Sequence, residues 1–452
     1  MKMAITRRRF LKGIGAGAVA FHVVSAEVLG GPGKMPPSEK LVLAGIGAGG
    51  RGGSDIRAVA SLGHEFIALC DVDDKRAAGT YKKFPKAKTF RDFRKMLDAV
   101  DRQIDAVVVG TPDHTHAVAA MAAMKRGKHV YCEKPLAHSI WEVRSLMDAA
   151  RRYKVVTQLG NQGHSSEHIR LLCEWVWDGA IGQVTEVHAA CDAFKNVYCQ
   201  IDKLPELAKR YPVPETLDWN LWLGPAQYRP YNPVFVPWNW RGWMPFGTGC
   251  IGDWVCHVVD PAFWALDLGA PKTIRAEVSG YDPKKHALCY PPATKVTFQF
   301  PAKGKRGPVT LYWSDGNNRI PRPPELEPNR RVPGTGAILV GTKGKIMHGS
   351  HGAGGCRIIP EEKMRAYRLP PKTIPRVKGH HWDWCQAIKE GRHAGSDFAL
   401  YGGPLTEIAL LGLIAIRFPT QTLEWDAKAM RFTNFSEANR YIKPTFRQGW
   451  TL

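Results

Sequence analysis

Leu41-Val42-Leu43-Ala44-Gly45-Ile46-Gly47-Ala48-Gly49-Gly50 is the stretch that decides the fold of the first part of this chain. Its apolar start predicts a short buried strand, and Gly45, Gly47 and Gly50 then form the pattern Gly-x-Gly-x-x-Gly ahead of a predicted helix at residues 54–62. Glycines at these places let the backbone turn sharply and let a pyrophosphate approach the helix N-terminus, where free N–H groups favour anions. The stretch therefore predicts a dinucleotide-binding Rossmann unit.

An acidic residue follows the second predicted strand, which runs from Phe66 to Cys70 and ends at Asp71. A carboxylate at this place can accept hydrogen bonds from the adenosine ribose hydroxyls and repels a 2′-phosphate. We therefore expect NAD rather than NADP, with Arg76 close enough to weaken that preference. A simple turn residue is the alternative for Asp71.

Helix and strand patterns continue to alternate after Asp71. The predicted helices are 92–99, 117–125 and 140–153, and the predicted strands are 106–109, 129–131 and 155–156. The last helix begins with the capping box Ser139-Ile140-Trp141-Glu142. This alternation predicts a doubly wound parallel sheet over residues 41–157. Ligands bind such sheets at the carboxyl ends of strands, where the polar clusters 110–116 and 132–135 fall.

Lys134 is the residue of the second cluster with the clearest chemistry. An ammonium group beside a nicotinamide can hydrogen-bond a substrate hydroxyl and stabilise alkoxide character as hydride leaves. Pro135 restricts the turn that presents this side chain. The alternative is a solvated Glu–Lys pair in a loop.

Residues 158–452 show a different pattern, which we interpret as a second domain. A polar segment and a helix at 167–178 come first, and strands with apolar residues on one face and polar residues on the other come next. These strands are predicted at 274–279, 296–300 and 309–313, with a hairpin at 338–346. Such alternation is typical of a half-exposed antiparallel sheet.

The segment Gly249-Cys250-Ile251-Gly252-Asp253-Trp254-Val255-Cys256-His257 combines a carboxylate and an imidazole four residues apart. On a helix both side chains share one face and can converge on one ligand. A histidine near its neutral pKa can take a hydroxyl proton, and a nearby carboxylate can orient it or bind substrate. The alternatives are an amphipathic helix without chemistry and a zinc site, for which no further ligands are identified.

Three tryptophans stand just before this segment, within Pro237-Trp238-Asn239-Trp240-Arg241-Gly242-Trp243. Aromatic faces beside Arg241 and Asn239 suit the apolar faces and hydroxyls of a sugar ring. Tryptophans of a core or of a subunit interface are an equally good interpretation.

The motifs Gly-x-Gly-x-x-Gly, Thr-Pro-x-x-x-His at 111–116 and Glu-Lys-Pro at 133–135, in this order, resemble the Gfo/Idh/MocA oxidoreductases. Gly-x-x-x-Asp-x-x-x-His at 249–257 is similar to that family's third motif. The resemblance implies a Rossmann domain followed by an open, mainly antiparallel sheet domain that carries much of the substrate site. It also implies that Lys134 contacts substrate and nicotinamide, that residues 110–116 lie along the cofactor, and that His257 is the general base.

The predicted site residues form three groups, and no metal site is predicted. The catalytic residues are Lys134, Asp253 and His257, and the substrate-binding residues are Trp238, Trp240, Arg241 and Asp253. The cofactor-binding residues are Gly45, Gly47, Gly50, Arg51, Asp71, Thr111, Pro112, His114, His116, Glu133, Lys134 and Asn161.

Residues 1–26 have the features of a twin-arginine export signal. Thr6-Arg7-Arg8-Arg9-Phe10-Leu11-Lys12 precedes a Gly/Ala-rich stretch and a small-residue cleavage site at Val24-Ser25-Ala26. The alternative is a basic disordered N-terminus. A Pro/Gly-rich linker at residues 27–40 follows. Because this route carries folded proteins, we expect the chain to bind its cofactor, meet the twin-arginine machinery and reach the periplasm or cell envelope.

Composition excludes some functions. Five basic residues and no acidic ones lie in residues 1–26, so cleavage lowers the formal net charge from +22 to +17. The remaining basic residues are scattered without regular aromatic interleaving, which argues against nucleic-acid binding. The most apolar run, Ile408 to Ile416, is too short to span a membrane. The ten cysteines contain no Cys-x-x-Cys pair, which favours reduced, buried thiols.

Two helical segments are expected near the end of the chain and should return to brace the first domain. They are residues 380–388 and 404–418. His380, His381 and Asp383 resemble a metal cluster, but a helix start with a capping role is favoured.

Export restricts the chemistry, because free NAD is scarce outside the cytoplasm. We therefore expect tightly held NAD that is regenerated in the same site, either by sugar-to-sugar hydride transfer, as in glucose–fructose oxidoreductase relatives, or by redox-assisted glycoside cleavage, as in NAD-dependent glycosidases. A conventional sugar or polyol dehydrogenase and a non-catalytic carbohydrate-binding module are the alternatives. An open sheet face favours a homo-oligomer.

Overall fold

The computed structural model of the chain describes residue 36, residues 39–193 and residues 195–452. The predicted export signal at residues 1–26 lies outside the described residues, as does most of the predicted linker at 27–40.

The first domain is a parallel sheet of six strands in the order β3-β2-β1-β4-β5-β6. The strands are β1 (Val42–Ile46), β2 (Glu65–Cys70), β3 (Lys88–Phe90), β4 (Ala106–Val109), β5 (His129–Cys132) and β6 (Thr157–Leu159). The helices are α1 (Gly50–Ser61), α2 (Asp74–Lys83), α3 (Phe93–Val100), α4 (Asp113–Met124) and α5 (Ile140–Tyr153). The predicted doubly wound parallel sheet is confirmed.

Several element boundaries differ from the prediction, and those of α4 and β6 have a clear reason. Helix α4 begins at Asp113 rather than Ala117. The prediction missed the first turn because its side chains are polar, although they are buried. The last strand is Thr157–Leu159 rather than residues 155–156, since Thr157 is the residue that pairs with Val130 of β5. The predicted domain boundary between residues 157 and 158 therefore falls within β6.

The capping box at the start of α5 is confirmed. The hydroxyl of Ser139 accepts a hydrogen bond from the backbone N–H of Glu142, at 3.3 Å. This local contact needs no tertiary information, which is why the predicted start of the helix is accurate.

The second domain is built on a mainly antiparallel sheet of nine strands, in the order β13-β12-β11-β7-β10-β9-β8-β14-β15. The strands are β7 (Val184–Cys191), β8 (Thr273–Ser279), β9 (Ala293–Phe300), β10 (Val309–Asp315), β11 (Gly336–Gly341), β12 (Lys345–Gly349), β13 (Arg357–Ile359), β14 (Thr422–Asp426) and β15 (Arg431–Phe432). Only the pair β7 and β10 is parallel among these described strands. The predicted alternation is observed, and the 338–346 hairpin is formed by β11 and β12.

The helices that follow β6 in the chain pack on the nine-stranded sheet and against the first domain. They are α6 (Glu167–Trp177), α7 (Lys195–Tyr198), α8 (Trp219–Leu223), α9 (Gly249–Val258), α10 (Asp260–Ala265), α11 (Glu361–Ala366), α12 (His380–Glu390) and α13 (Gly403–Arg417). Trp384 and Cys385 of α12 are buried in one cluster with Leu43 and Tyr131 of the first domain. Helix α12 of the second domain thus packs against the first domain.

The start of α12 corrects one expectation. Gly379 is the N-cap residue, and no side chain caps the helix. Instead, Nε2 of His380 lies 2.6 Å from the carbonyl oxygen of Leu159, and Asp383 accepts a hydrogen bond from the N–H of Gly395 at 2.7 Å. These side chains are buried at the contact between the domains, where their polar atoms need partners from other segments.

One described helix is long and apolar enough to cross a membrane by length and composition, namely Phe398–Arg417. In its most apolar window, however, 83% of the residues are buried inside the protein. This burial is typical of a core helix, and the run Ile408 to Ile416 forms most of its C-terminal half.

All ten cysteines lie within the described residues and are free thiols. Most of them are buried, in agreement with the expectation from sequence.

Candidate functional site

A cavity of about 880 Å³ lies between the two domains. One end is formed by the glycine-rich loop and the carboxyl ends of the first-domain strands, and the other by α9 and residues 236–241. This volume suits a dinucleotide portion together with a small substrate.

Two glycines of the glycine-rich loop adopt positive φ angles, and a side chain at either position would collide with neighbouring atoms. Gly47 has φ +83°, and a Cβ there would lie 2.6 Å from the backbone carbonyl carbon of Gly110. Gly50 has φ +53°, and a Cβ there would lie 2.5 Å from Nη2 of Arg76. Gly45 serves packing instead, since its Cβ would lie 2.6 Å from the side chain of Ile56 in α1. The loop therefore fits a pyrophosphate at the start of α1.

Asp71 is held at the wall of the cavity by backbone donors. Its Oδ2 accepts from the N–H of Gly49 at 2.8 Å, and its Oδ1 accepts from the N–H of Asp73 at 3.0 Å. Burial raises the pKa of Asp71. Each carboxylate oxygen has a second lone pair, so the group fits the ribose hydroxyls of a dinucleotide. Arg76 lines the same wall.

Arg51 and Glu133 form a network below the loop. Nε of Arg51 lies 3.2 Å from Oε1 of Glu133, and Nη2 of Arg51 lies 2.9 Å from Oδ1 of Asp55. Gln162 donates to Glu133 at 2.5 Å. Burial raises the pKa of Glu133 to about 7, with Asp55 adding to the effect. The network connects α1 to the Glu-Lys-Pro loop and keeps both in place around the cavity.

The Thr-Pro loop contributes some of its predicted cofactor residues and not others. Thr111, Pro112 and His116 line the cavity. His116 also joins two loops, because its Nδ1 lies 2.7 Å from the carbonyl oxygen of Pro135 and its Nε2 lies 2.8 Å from that of Thr111. The histidine therefore positions the loop that carries Lys134.

Two predicted cofactor residues lie in the interior rather than at the cavity. The ring nitrogens of His114 face the carbonyl oxygens of Trp222 and Phe246, and burial lowers the pKa of this histidine to about 3. Asn161 is fully buried and donates to Asp260 at 3.2 Å. Neither side chain belongs to the described cavity lining, because their polar atoms face the second domain. Gln162 lines the cavity instead of Asn161.

Lys134 and Asp253 meet where the two domains contact each other. Nζ of Lys134 lies 2.5 Å from Oδ1 of Asp253 and donates to the backbone carbonyl of the same residue at 2.9 Å. The hydroxyl of Tyr198 donates to Oδ2 of Asp253. Burial by itself would raise the pKa of Asp253, but Lys134 and Arg241 hold it well below its usual range. The carboxylate is therefore charged and fixes the ammonium group.

His257 lies one turn after Asp253 on α9, and both side chains line the cavity. No hydrogen bond joins the two residues among the described contacts, and Nδ1 of His257 is buried without a partner there. Packing holds the ring: His351 stacks on it with centroids 4.2 Å apart, and Trp254 meets it edge-on at 5.9 Å. Burial, then the charge of Lys134, lowers the pKa of His257 well below its usual value. The imidazole is thus neutral and able to accept a proton.

The three tryptophans of residues 237–243 do not share one location, since two of them line the cavity and the third lies in the core. Trp238 is 41% exposed and Trp240 is buried, and both line the cavity. The guanidinium carbon of Arg241 lies 4.2 Å from one ring centroid and 4.1 Å from the other. Trp243 is fully buried and packs on Phe235, so it belongs to the core. The first two rings form an aromatic wall beside Asp253.

Several residues of the cavity escaped the sequence predictions. Asp113 lies within the polar cluster that follows β4, and that position could have identified it. Its pKa is raised to about 7 by burial and by Asp253. His351 stands in a glycine-rich loop without any periodic signal, and Tyr198 reaches the site only through the tertiary fold.

Within residues 39–193 and 195–452, no group of three or more His, Cys, Asp or Glu side chains is arranged to hold a metal ion. The imidazole and carboxylate of α9 therefore lack further ligands in this part of the chain.

Two family models match the chain. Residues 41–161 match the Gfo/Idh/MocA model described as an oxidoreductase family with an NAD-binding Rossmann fold. Residues 181–306 match the model of the same family's C-terminal alpha/beta domain. Together the matched segments cover more than half of the 452 residues.

Similar proteins include dehydrogenases and members of glycosyl hydrolase family 109. A levoglucosan dehydrogenase of Pseudarthrobacter phenanthrenivorans is 26% identical over 218 residues, or 48% of this chain and 46% of that protein. A glycosyl hydrolase family 109 protein of Solibacter usitatus is 35% identical over 193 residues, or 40% and 43% of the two chains. The matches span less than half the length of these relatives.

Solved structures of similar fold include complexes with nicotinamide cofactors. A levoglucosan dehydrogenase in complex with NADH and levoglucosan is 18% identical, with a TM-score of 0.56 and coverage of 85% of this chain and 99% of that one. An inositol dehydrogenase homolog from Azotobacter vinelandii, complexed with NAD+, is 15% identical, with a TM-score of 0.57 and coverage of 85% and 97%. At these identities the likeness establishes the fold.

Proposed function

The chain belongs to the Gfo/Idh/MocA oxidoreductase family, and we propose that it oxidises and re-reduces a hydroxyl of a carbohydrate with an NAD molecule that it retains. One observation carries this proposal. Lys134, Asp253 and His257 line the same cavity as the glycine-rich loop and Asp71, so a hydroxyl-activating group faces a dinucleotide site.

The first-domain residues fit the cofactor. The loop at Gly47 fits the pyrophosphate, Asp71 fits the ribose hydroxyls, and Thr111 and Pro112 line the path toward Lys134. When bound, NAD accepts a hydride from a substrate carbon and can return it. The acidic Asp71 favours NAD over NADP.

The residues at the other end of the cavity handle the proton. Lys134 donates a hydrogen bond to the substrate hydroxyl oxygen and stabilises its developing negative charge. His257 accepts the hydroxyl proton, because its lowered pKa keeps it neutral at physiological pH. Asp253 keeps the ammonium group in place and presents its charge to further hydroxyls of the substrate.

A carbohydrate substrate is supported by the aromatic wall and by the relatives. Trp238 offers an exposed ring face, and Arg241 lies between it and Trp240 as a donor for ring hydroxyls. The named dehydrogenase relatives act on levoglucosan and inositol. Both are compact polyhydroxylated rings, which this wall would also accept.

Retention of the cofactor follows from the predicted export signal at residues 1–26. Outside the cytoplasm a released NADH would not be replaced, so each turnover has to restore NAD in the site. Sugar-to-sugar hydride transfer and redox-assisted glycoside cleavage both do so. Similarity to glycosyl hydrolase family 109 proteins supports the second route. A conventional dehydrogenase is the remaining candidate, favoured by the levoglucosan and inositol dehydrogenase relatives.

Cofactor retention is tested by purifying the full chain from the cell envelope, denaturing it and identifying released nucleotides by mass spectrometry. We expect NAD to be released, and much less from an Asp71→Ala variant prepared in parallel. A preparation that is folded but releases no nicotinamide nucleotide would refute retention. Replacing Arg7 and Arg8 with lysines should keep the protein in the cytoplasm if the export signal is genuine.

The reaction is then tested with chromogenic glycosides and no added NAD. Release of the chromophore by the purified protein supports glycoside cleavage. Conversion of a sugar pair without chromophore release supports sugar-to-sugar transfer. A requirement for added NAD, with stoichiometric NADH formation, supports the conventional dehydrogenase and refutes recycling.

We also propose a homo-oligomer that forms through the outer face of the second sheet. Arg275, Glu277 and Lys295 on this face are exposed, while Ile274 and Phe298 of the same strands are buried on the other face. Light scattering of the purified protein should give the mass of two or more chains. A mass of one chain would refute this proposal.

A further inference from the structure

A second histidine faces the cavity beside His257. His351 follows β12, lines the cavity, and stacks on His257 with ring planes inclined by 21°. Its edge also meets Trp254, at a centroid distance of 5.5 Å. The site thus contains two neighbouring imidazoles, whereas oxidation of a hydroxyl requires one proton acceptor.

The backbone that presents His351 adopts an unusual conformation. Its φ and ψ are 55° and 56°, in the left-handed region that costs a residue with a Cβ on the order of 1 kcal/mol or more. Tertiary contacts hold it there: the hydroxyl of Ser166 donates to the carbonyl of Gly352 at 2.6 Å, and a Cβ at Gly352 would overlap the carbonyl oxygen of Gly163. Strained residues of this kind are concentrated at functional sites.

One ring nitrogen of His351 is engaged and the other is free to react. Nδ1 lies 2.9 Å from the hydroxyl oxygen of Ser350. No hydrogen bond of Nε2 occurs among the described residues. In the tautomer in which Nδ1–H donates to Ser350, Nε2 carries the lone pair that accepts a proton.

The groups around His351 favour its neutral form. Burial lowers its pKa first, and the positive charges of Lys134 and Arg51 act in the same direction, while Asp253 and Glu133 oppose them. The stacked His257 adds to this effect once it is protonated, because two adjacent imidazolium rings repel each other. The two histidines are therefore expected to carry a single proton between them.

We propose that His351 is a second catalytic residue, which takes the proton from the carbon next to the oxidised position, and that the substrates are accordingly glycosides. This inference rests on the proposed function. In the step, the C–H bond breaks, its proton goes to Nε2 of His351, and its electron pair forms a carbon–carbon double bond. The leaving alcohol departs with the electron pair of the C–O bond and takes the proton that His257 received from the hydroxyl. The pair of rings thus exchanges one proton for another and never holds two.

The test uses the purified full chain and a methyl glycoside that already carries a ketone at C3, in deuterated water. Exchange of the C2 proton for deuterium, followed by NMR, reports proton abstraction from carbon without any hydride transfer. We expect exchange with the unaltered protein and a loss of about 100-fold or more in His351→Asn. Asparagine tolerates the left-handed conformation, so this variant keeps the loop.

A second variant separates chemistry from structure. His351→Gly suits the positive φ and opens space where the ring was, so added imidazole should restore much of the exchange. Ala353→Gly, at another left-handed position (φ +62°) of the same loop, is the matched control and should exchange at the original rate. Three outcomes would each overturn the assignment. They are an unchanged exchange rate in His351→Asn, no exchange in the unaltered protein, and no recovery of exchange when imidazole is added to His351→Gly.

Failure of the proposed function would be visible separately. A chain that releases no NAD on denaturation contradicts the proposed retention of the cofactor whatever the exchange experiment shows. Normal NAD content with unaffected exchange in His351→Asn contradicts only the role of His351.

Discussion

Nζ of Lys134 and Oδ1 of Asp253 lie 2.5 Å apart and connect the two domains at the wall of the cavity. The lysine comes from the loop after β5, and the aspartate comes from α9. Their side chains are only 14% and 10% exposed, so solvent screens this pair weakly. The pair therefore sets the charge that His257 experiences.

Removing the charge of Lys134 and removing the charge of Asp253 should shift the pH dependence of activity in opposite directions. His257 must be neutral to accept a proton, so activity falls as pH drops through its pKa. Burial and Lys134 lower that pKa, and Asp253 raises it. Lys134→Met should therefore move the acid limb of kcat/KM up by about one pH unit, and Asp253→Asn should move it down. If the acid limb moved in neither variant, His257 would not be the group whose titration lowers kcat/KM at acidic pH.

Removing the carboxylate of Asp71 should relax cofactor selectivity. Asp71→Ala removes the acceptor for the ribose hydroxyls and the charge that repels a 2′-phosphate, while Arg76 and Arg91 remain at the cavity wall. We expect NAD affinity to fall at least about 10-fold and NADP affinity to rise, measured by fluorescence titration. Asp98→Asn, an exposed position on α3, is the control and should change neither value.

Two tryptophans of one segment should respond in different ways. Trp238→Ala should raise KM for the carbohydrate about 10-fold and leave the unfolding free energy nearly unchanged, because the ring is 41% exposed. Trp243→Ala should cost about 3–5 kcal/mol of unfolding free energy, because its ring is fully buried. Chemical denaturation and steady-state kinetics measure the two effects. Equal loss of stability in both variants would place Trp238 in the core.

The carboxyl of Asp113 should make stability depend on pH. Burial raises its pKa to about 7 in the folded protein, whereas an unfolded aspartate has a pKa of about 3.9. The folded state therefore holds a proton that the unfolded state has lost, and stability falls as pH rises through this window. Asp113→Asn can keep the hydrogen bond from Thr248 and has no charge to bury. Its stability gain over the original chain should grow between about pH 4 and pH 7 and stay constant above. A difference that is the same at pH 4 and pH 8 would contradict the raised pKa.

The first sheet was predictable because its signals lie in residues that are close in sequence. The glycine-rich loop after β1 and the acid after β2 stand in short sequence patterns, and the capping box at Ser139 depends on a contact three residues away. Strand Ala106–Val109 and helix Ile140–Tyr153 were predicted to the residue for the same reason. The alternation of Ile274 and its neighbours also follows from the two-residue period of a strand.

Which polar side chains reach the cavity depends on the tertiary structure. His114 stands in the Thr-Pro motif but faces the second domain, because its hydrogen-bond partners lie there, and Asn161 is held in the interior by Asp260. Trp243 lies three residues from Trp240 and yet belongs to the core.

The dinucleotide fold and the family could be predicted from the sequence, since each rests on a local pattern of residues, and the same patterns led to the proposed roles of Lys134 and His257. The tertiary structure decided that Asp253 holds Lys134 rather than His257, and that His351 stacks on His257. These contacts join segments that are far apart in the chain. The contact of Lys134 with Asp253 depends on how the two domains pack, and the contact of His257 with His351 depends on how distant segments of the second domain pack. No local periodicity encodes this packing.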